Sequence, residues 1–388
     1  MTRRLARYLD GNEEFWSRLW NLRRPRRHAR LCDLEDEDDE EHDIPGYQES
    51  KALVSSKWKV YVAGVFLLAA IVLPRKTSTL KGEVSLEIRP GSRVLLDAHN
   101  CYPYHGKWSD RIERALGTRV PLAIEQDLFW YTDKQSGKSW SMLSHGKPVS
   151  GNEPTLRTYF FERIRPIVEK ALRDGNQGDW PLVTLNLDFK SNEPEHHADV
   201  WALLGEYESW LCTAERVEDS HQVMPLLVRP LWVLTGDSDA QEITFHHLVP
   251  VGQRLRVFGA VHVRGDDPAV PPETMVWERA SNYRRWWNNP WRVVEKGGQR
   301  KAKDWTKEDM QRLRLLVDHA HALGLWIRFY TLNGYGPAES QGWDEDYNFG
   351  SKERVLLRWR AALEAGVDFV ATDQYEAFAS AKAARLTP

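Results

Sequence analysis

A chain of 388 residues is too long for one small core and suits a barrel of roughly 250 to 300 residues carrying an extension. Its 53 basic and 56 acidic residues leave a net charge of -3, which excludes an overall pull toward nucleic acid and gives no handle on a protein partner. Three scattered cysteines, Cys32, Cys101 and Cys212, write neither a disulfide framework nor a Cys-x-x-Cys metal site, and 18 tryptophans belong in a large core or along an amphipathic lip.

Residues 1–57 are expected to form a disordered tail. A basic block (Arg23, Arg24, Arg26, Arg27, Arg30) runs into an acidic one (Asp33 to Asp43) with too few apolar anchors to bury. Next, 58–75 contains the unbroken apolar run Val60 to Leu73 between Lys57, Lys59 and Arg75, Lys76. As a helix it covers about 21 Å at ~1.5 Å per residue, short of a ~30 Å hydrocarbon core unless Trp58 and snorkelling lysines extend it. A buried core helix is the competing reading, but no amphipathic partner lies nearby. A cleavable signal peptide would need a shorter leader. The segment is therefore expected to be one transmembrane signal-anchor helix, giving a single-pass membrane location whose membrane and side the flanking charges do not fix. A linker follows at 76–91.

From 92 to 388 short apolar runs alternate with helical periods. Strands are expected at Arg93 to His99, Val120 to Asp127, Leu182 to Asp188, Leu231 to Thr235, Leu255 to Val263, Trp326 to Leu332 and Phe369 to Thr372. Helices are expected at Leu156 to Arg173, Asp199 to Glu215, Thr306 to Leu323 and Lys352 to Ala365, the last two ending at Gly324 and Gly366. Strand-then-helix repetition predicts the α/β class and a (β/α)8 TIM barrel. No glycine-rich nucleotide fingerprint follows the first strand, which weighs against a doubly wound sheet.

Polar groups fall at the carboxyl ends of these strands. Asp97 and His99, Glu125 and Asp127, and Asp188 and Lys190 are each two residues apart, so each pair shares one face of its strand. Carboxylates gathered at a barrel mouth need a cation to offset their desolvation. Glu125, Asp127 and Asp188 are hard oxygen donors suited to Mg²⁺ or Ca²⁺, with Mg²⁺ the expected ion. His99 and His145, in the loop LSHGKP, would exchange protons during catalysis, and Lys190 would neutralise phosphoryl charge.

Ala98-His99-Asn100, Glu125-Gln126-Asp127, His145-Gly146 and Asp188-Phe189-Lys190, in that order, resemble the phospholipase-C-like phosphodiesterase superfamily. That superfamily includes glycerophosphodiester phosphodiesterases and spider-venom-type sphingomyelinase D enzymes. The likeness implies a TIM barrel of that type, histidines acting as acid and base, and acidic residues binding Mg²⁺ or Ca²⁺. Gly366 to Asp373 is similar to the closing strand of glycerophosphodiesterases. Asn100 and Asp188 depart from that group, which usually carries an arginine and a glutamate there, and His-Gly with Asp-x-Lys looks closer to sphingomyelinase D. Ala-His-Asn, the stretch Leu325 to Tyr330 and Asp373-Gln374-Tyr375-Glu376 resemble most the fungal family named altered inheritance of mitochondria protein 6.

The expected activity is that of a metal-dependent phosphoric diester hydrolase, or a cyclising phosphotransferase of the phosphorus-oxygen lyase kind, on a lipid-derived or small organic phosphodiester. Asn100, Arg328 and Tyr330 are candidate substrate contacts; the last two share a strand face and fit a structural role as barrel-layer residues equally well. A catalytically silent membrane-anchored binding module is the alternative. A glycoside hydrolase is weaker, since Glu125 and Asp127 neighbour each other instead of flanking a sugar bond. Tyr283 to Trp291 (YRRWWNNPW) could form a lipid-facing lip or pack against the barrel, and Asn333 to Pro337 a rim at the mouth. His196-His197 and His246-His247 read as satisfied or solvated histidines, because adjacent side chains diverge on regular elements.

Overall fold

In chain order the strands are β1 (Leu95–Ala98), β2 (Leu122–Thr132), β3 (Ser139–Leu143), β4 (Val183–Phe189), β5 (Ala214–Glu215), β6 (Leu231–Thr235), β7 (Arg254–Leu255), β8 (Phe258–Ala260), β9 (Arg284–Pro290), β10 (Trp326–Tyr330) and β11 (Phe369–Thr372). These come from a computed structural model that describes residues 88–386 apart from 105, 303 and 337–346. The tail at 1–57, the apolar segment at 58–75, most of the 76–91 linker and Pro337 of the rim loop lie outside the described residues. Among the described residues no helix is long and apolar enough to cross a membrane.

One nine-stranded sheet runs β1-β11-β10-β9-β8-β6-β4-β2-β3, and β1 also pairs with β2 through Asp97↔Ala123 and Ala98↔Ile124. That pairing closes the sheet. Because β3 only folds back antiparallel on β2, the other eight strands form a parallel barrel, as expected of the (β/α)8 plan. Around it lie α1 (Arg111–Gly117), α2 (Glu162–Asp174), α3 (Pro194–Glu206), α4 (Asp239–Glu242), α5 (Pro272–Met275), α6 (Lys307–Ala322), α7 (Lys352–Ala365) and α8 (Tyr375–Leu386). Local chemistry sets the clearest of these ends. A capping box between Thr306 and Asp309 starts α6, the Ser351 hydroxyl accepts from Arg354 N–H to start α7, and Gly366 ends α7 in the left-handed region at φ 79°.

The barrel interior is layered. Its floor is aromatic: Trp232 of β6 reaches across to Trp326 of β10 at 4.7 Å between ring centroids and to Phe369 of β11 at 6.5 Å. Above that aromatic floor Arg328 forms ion pairs with Asp97 and with Glu125 at 3.0 Å, all of them buried. Excluded water strengthens each of these contacts and raises the cost of leaving any charge alone.

Several boundaries differ from the sequence reading. The YRRWWNNPW segment is the barrel strand β9, and Trp286, Trp287 and Trp291 are fully buried, so it forms no lipid-facing lip. Its arginines and asparagines interrupt the apolar run that marks the other strands. Helix α3 ends at Glu206, because Glu208–Trp210 tightens into a 3₁₀ turn and the chain then extends into β5. The expected strand from Leu255 to Val263 is broken into β7, which pairs with β5 away from the barrel, and β8 within it.

Candidate active site

The candidate side chains gather toward the carboxyl ends of the barrel strands, with Arg328 inside β10 beneath them. Directly after β1, Asn100 adopts φ 50°, a left-handed conformation that asparagine tolerates better than most residues. The resulting turn aims the Asn100 N–H at Glu125 Oε2 (3.1 Å) and sets His99 over the same carboxylate, with Nε2 3.4 Å from Oε2. Glu125 Oε1 receives Arg328 Nη2 at 3.0 Å and Asn186 Nδ2 at 3.5 Å. Two residues on, Asp127 Oδ2 accepts from the Tyr102 hydroxyl at 2.7 Å and pairs with Lys190 Nζ at 3.3 Å. Lys190 also donates to Asp188 at 3.0 Å. The β2–β3 hairpin returns the chain so that Ser144 N–H donates to the Asp127 carbonyl (3.2 Å), which brings His145 to the cluster's edge.

The two histidines stand in opposite fields. Burial opposes protonation of His99, but Glu125 and Asp373, the latter 3.3 Å from Nδ1, outweigh it and raise its pKa to about 9. His145 is held down to about 4 by burial first and by the Lys190 charge second. Burial pushes Asp127 up to about 7, with Asp188 and Glu125 adding to the rise and Lys190 opposing it. Asp188 is half-buried, and Lys190 outweighs its desolvation and holds it below the usual carboxylate range. Lys190 resists desolvation because Asp127 and Asp188 raise its pKa.

Glu125, Asp127 and Asp188 each offer an oxygen, and these atoms lie within 4.8 Å of one another. The set fits a hard divalent cation. Asp127 Oδ1 is buried without a hydrogen-bond partner among the described residues, and four carboxylates (Asp97, Glu125, Asp127, Asp188) face three cations, Arg328, Lys190 and the His99 imidazolium. A divalent ion would balance the remainder and satisfy the orphaned oxygen.

All six residues expected from sequence, His99, Glu125, Asp127, His145, Asp188 and Lys190, are therefore brought to one mouth. Asn100 is buried and acts on its neighbours, its side-chain nitrogen 2.8 Å from His99 Nδ1. Tyr330 lies beside His99 with near-parallel rings, centroids 6.5 Å apart. Arg328 takes the barrel-layer role of its two expected ones. Its guanidinium is only 2% exposed and is taken up by Asp97, Glu125 and Asn288, so it holds Glu125 from below and does not reach an open face.

Sequence reasoning gave no role to Tyr102 or Arg111, placed Asn333 only in a rim loop, and used Asp373 only in a family likeness. Asp373 Oδ1 meets His99 Nδ1 and Arg111 Nη1, both at 3.3 Å, while Oδ2 accepts from Asn333 at 2.7 Å. Its signal was available, since it directly follows the apolar run of β11. Tyr102 and Asn333 sit in loops and carry no comparable mark.

No protein-family profile matches the chain, and no curated protein matches it in sequence. Among solved structures it is similar to a glycerophosphoryl diester phosphodiesterase from Parabacteroides distasonis, at 14% identity over 78% of this chain and 88% of that one, with a TM-score of 0.37. It is also similar to a calcium-dependent phosphoinositol-specific phospholipase C from Pseudomonas sp., at 14% identity over 75% and 92% of the two chains and a TM-score of 0.41. An HPPK-DHPS from Plasmodium falciparum shares 9% identity over 76% and 48%, with a TM-score of 0.36. With identities of 14% or less and TM-scores below 0.5, these likenesses carry neither substrate nor mechanism across to this chain.

Proposed function

We propose that this barrel is a metal-dependent phosphodiesterase acting on a lipid-derived or small organic phosphodiester. One observation carries the proposal: two imidazoles and an ammonium converge on three oxygen-donor carboxylates at the mouth of a closed barrel. Glu125, Asp127 and Asp188 would hold the ion, Mg²⁺ or Ca²⁺, which when bound supplies Lewis-acid polarisation of a phosphoryl oxygen. Lys190 holds a second phosphoryl oxygen and offsets charge that develops on it. Between them, His99 and His145 take a proton from the attacking oxygen and return one to the leaving oxygen. As the new P–O bond forms, the ester P–O bond breaks. Water as nucleophile gives a phosphomonoester and an alcohol; a hydroxyl within the substrate gives a cyclic phosphate and the same alcohol. Asp373 keeps the His99 ring oriented through Nδ1, and Arg328 with Asn186 keeps Glu125 in place.

The test is a panel of lipid and water-soluble phosphodiesters offered to the purified protein with and without EDTA. Turnover that EDTA abolishes and Mg²⁺ or Ca²⁺ restores is expected. Turnover unaffected by chelation would remove the metal from the mechanism. Lys190, lodged against both Asp127 and Asp188, favours a second reading in which an internal ammonium replaces the ion and the barrel only binds. That version predicts no turnover and no stabilisation by divalent ions.

The apolar segment at 58–75 would tether this chemistry to a bilayer as a single span. Full-length protein should stay with membranes through alkaline extraction, and release into the supernatant would withdraw the anchor.

A further inference from the structure

Between β6 and β8, helix α4 runs directly into a π-helical turn at Ile243–His247. On an α-helix a residue five positions along is rotated about 140° away, so Glu242 and His247 would diverge. The wider i→i+5 turn brings both the fourth and fifth positions back over the first. The result contradicts the expectation that His246 and His247 point apart: their ring centroids are 5.1 Å apart, and Glu242, His246 and His247 each present a ligand atom within 4.8 Å of the others.

His246 adds an independent observation. It is 1% exposed, and its Nε2 lies 3.4 Å from Asn282 Oδ1. The Asn282 amide is oriented by its own contacts, since Nδ2 donates to the Glu215 carbonyl at 2.9 Å and Oδ1 accepts from Val217 N–H at 3.2 Å. Nε2 must therefore be the donor, which leaves the lone pair of the neutral ring on Nδ1. That atom is buried with no hydrogen-bond partner among the described residues. An imidazole whose Nε2 donates to an oxygen while Nδ1 keeps a bare lone pair is the arrangement of a metal-ligating histidine. Exposed His247 opens the cluster to solvent. Arg284 donates to Glu242 Oε2 at 2.5 Å and orients the carboxylate.

We propose that Glu242, His246 and His247 bind a zinc-class divalent ion in the connection between β6 and β8, separate from the carboxylates at the barrel mouth. Two imidazoles and one carboxylate select Zn²⁺ or Co²⁺ over Mg²⁺ and Ca²⁺, which prefer all-oxygen sites.

The test titrates the full chain with Zn²⁺ alone by calorimetry and follows the histidine ring nitrogens by NMR. In the wild-type protein Zn²⁺ should shift the rings of His246 and His247, and Mg²⁺ should leave both unmoved. His247→Ala, which removes an exposed ligand without opening the core, should weaken this Zn²⁺ binding at least about tenfold, while Asp127→Asn leaves it unchanged. Equal Zn²⁺ affinity in wild type and His247→Ala, or unshifted His246 and His247 rings in the saturated wild-type protein, would overturn the proposal.

Discussion

His99 is flanked by carboxylates at both ring nitrogens, Glu125 at 3.4 Å and Asp373 at 3.3 Å, whereas the strongest charged neighbour of His145 is the Lys190 ammonium. Both rings are largely desolvated, and the same residue type arrives with opposite proton affinities. Topology makes the difference. His99 follows β1, which pairs with β11 on one side and β2 on the other, so it receives Asp373 from one neighbour and Glu125 from the other; His145 arrives in the loop after β3, beside the lysine. A pair of imidazoles held this far apart in proton affinity can divide acid and base duties without competing for one proton.

Removing either ring is the harshest way to break that comparison. His99→Ala and His145→Ala should each lower turnover of the substrate found for the wild type by at least about a hundredfold, with circular dichroism unchanged. Wild-type turnover in either variant would end the acid–base scheme.

Replacing the carboxylate behind His99 should do less and reveal more. Asp373→Asn should cost about tenfold in turnover and lower the His99 pKa from about 9, because one of the two charges favouring the imidazolium is gone. NMR titration should show His145 still near about 4. If both rings moved together, Asp373 would be a general structural support and not a positioning residue for His99.

Filling the mouth with a divalent cation should sharpen the contrast from the other side. An ion on Glu125 offsets the negative charge that sustains the His99 imidazolium, so saturating Mg²⁺ or Ca²⁺ should lower the His99 pKa relative to the metal-free protein. The same addition should raise the melting temperature, by the equivalent of about 2.7 kcal/mol when the ion stands at a hundredfold over Kd. Asp127→Asn should abolish both responses. A flat melting curve in the wild type would favour the silent barrel.

The smallest effects lie in stability against pH. His99 has a folded pKa above its ordinary 6.5, so its contribution is complete below about 6.5 and is lost as pH rises through about 9. His145 has a folded pKa below 6.5, so the native state loses stability as pH falls from about 6.5 toward 4. Urea midpoints should follow opposite courses: His99→Gln converges on wild type above pH 9, and His145→Gln converges on it above pH 7.

The barrel could be read from sequence wherever strands were continuously apolar, as at Leu231–Thr235 and Phe369–Thr372, where both ends matched. It was illegible at β9, whose Arg284, Arg285, Asn288 and Asn289 look like a loop until the structure shows Arg284 held by Glu242 and Asn288 facing Arg328. Strand-end spacing located Glu125, Asp127 and Asp188 because alternation along a strand is a local rule. Asp373 also stands at a strand end, but the partner that gives it a role, His99, lies 274 residues away, beyond the reach of a local rule. The π-helical turn at Ile243–His247 also left no periodic trace, so its two histidines were assigned to diverging directions.

Barrel closure has a consequence for how the molecule comes into being. β1 pairs with β11, and only that final pairing delivers Asp373 and its Asn333 partner to the back of His99. During synthesis a chain that has emerged through β10 holds Glu125, Asp127 and Asp188 on neighbouring strands, but its first and tenth strands are open edges and His99 lacks its orienting acid. The proposed site would thus be completed in the last step of assembly, when the sheet loses its edges. A chain released short of Phe369 would be both inert and prone to pair with its neighbours.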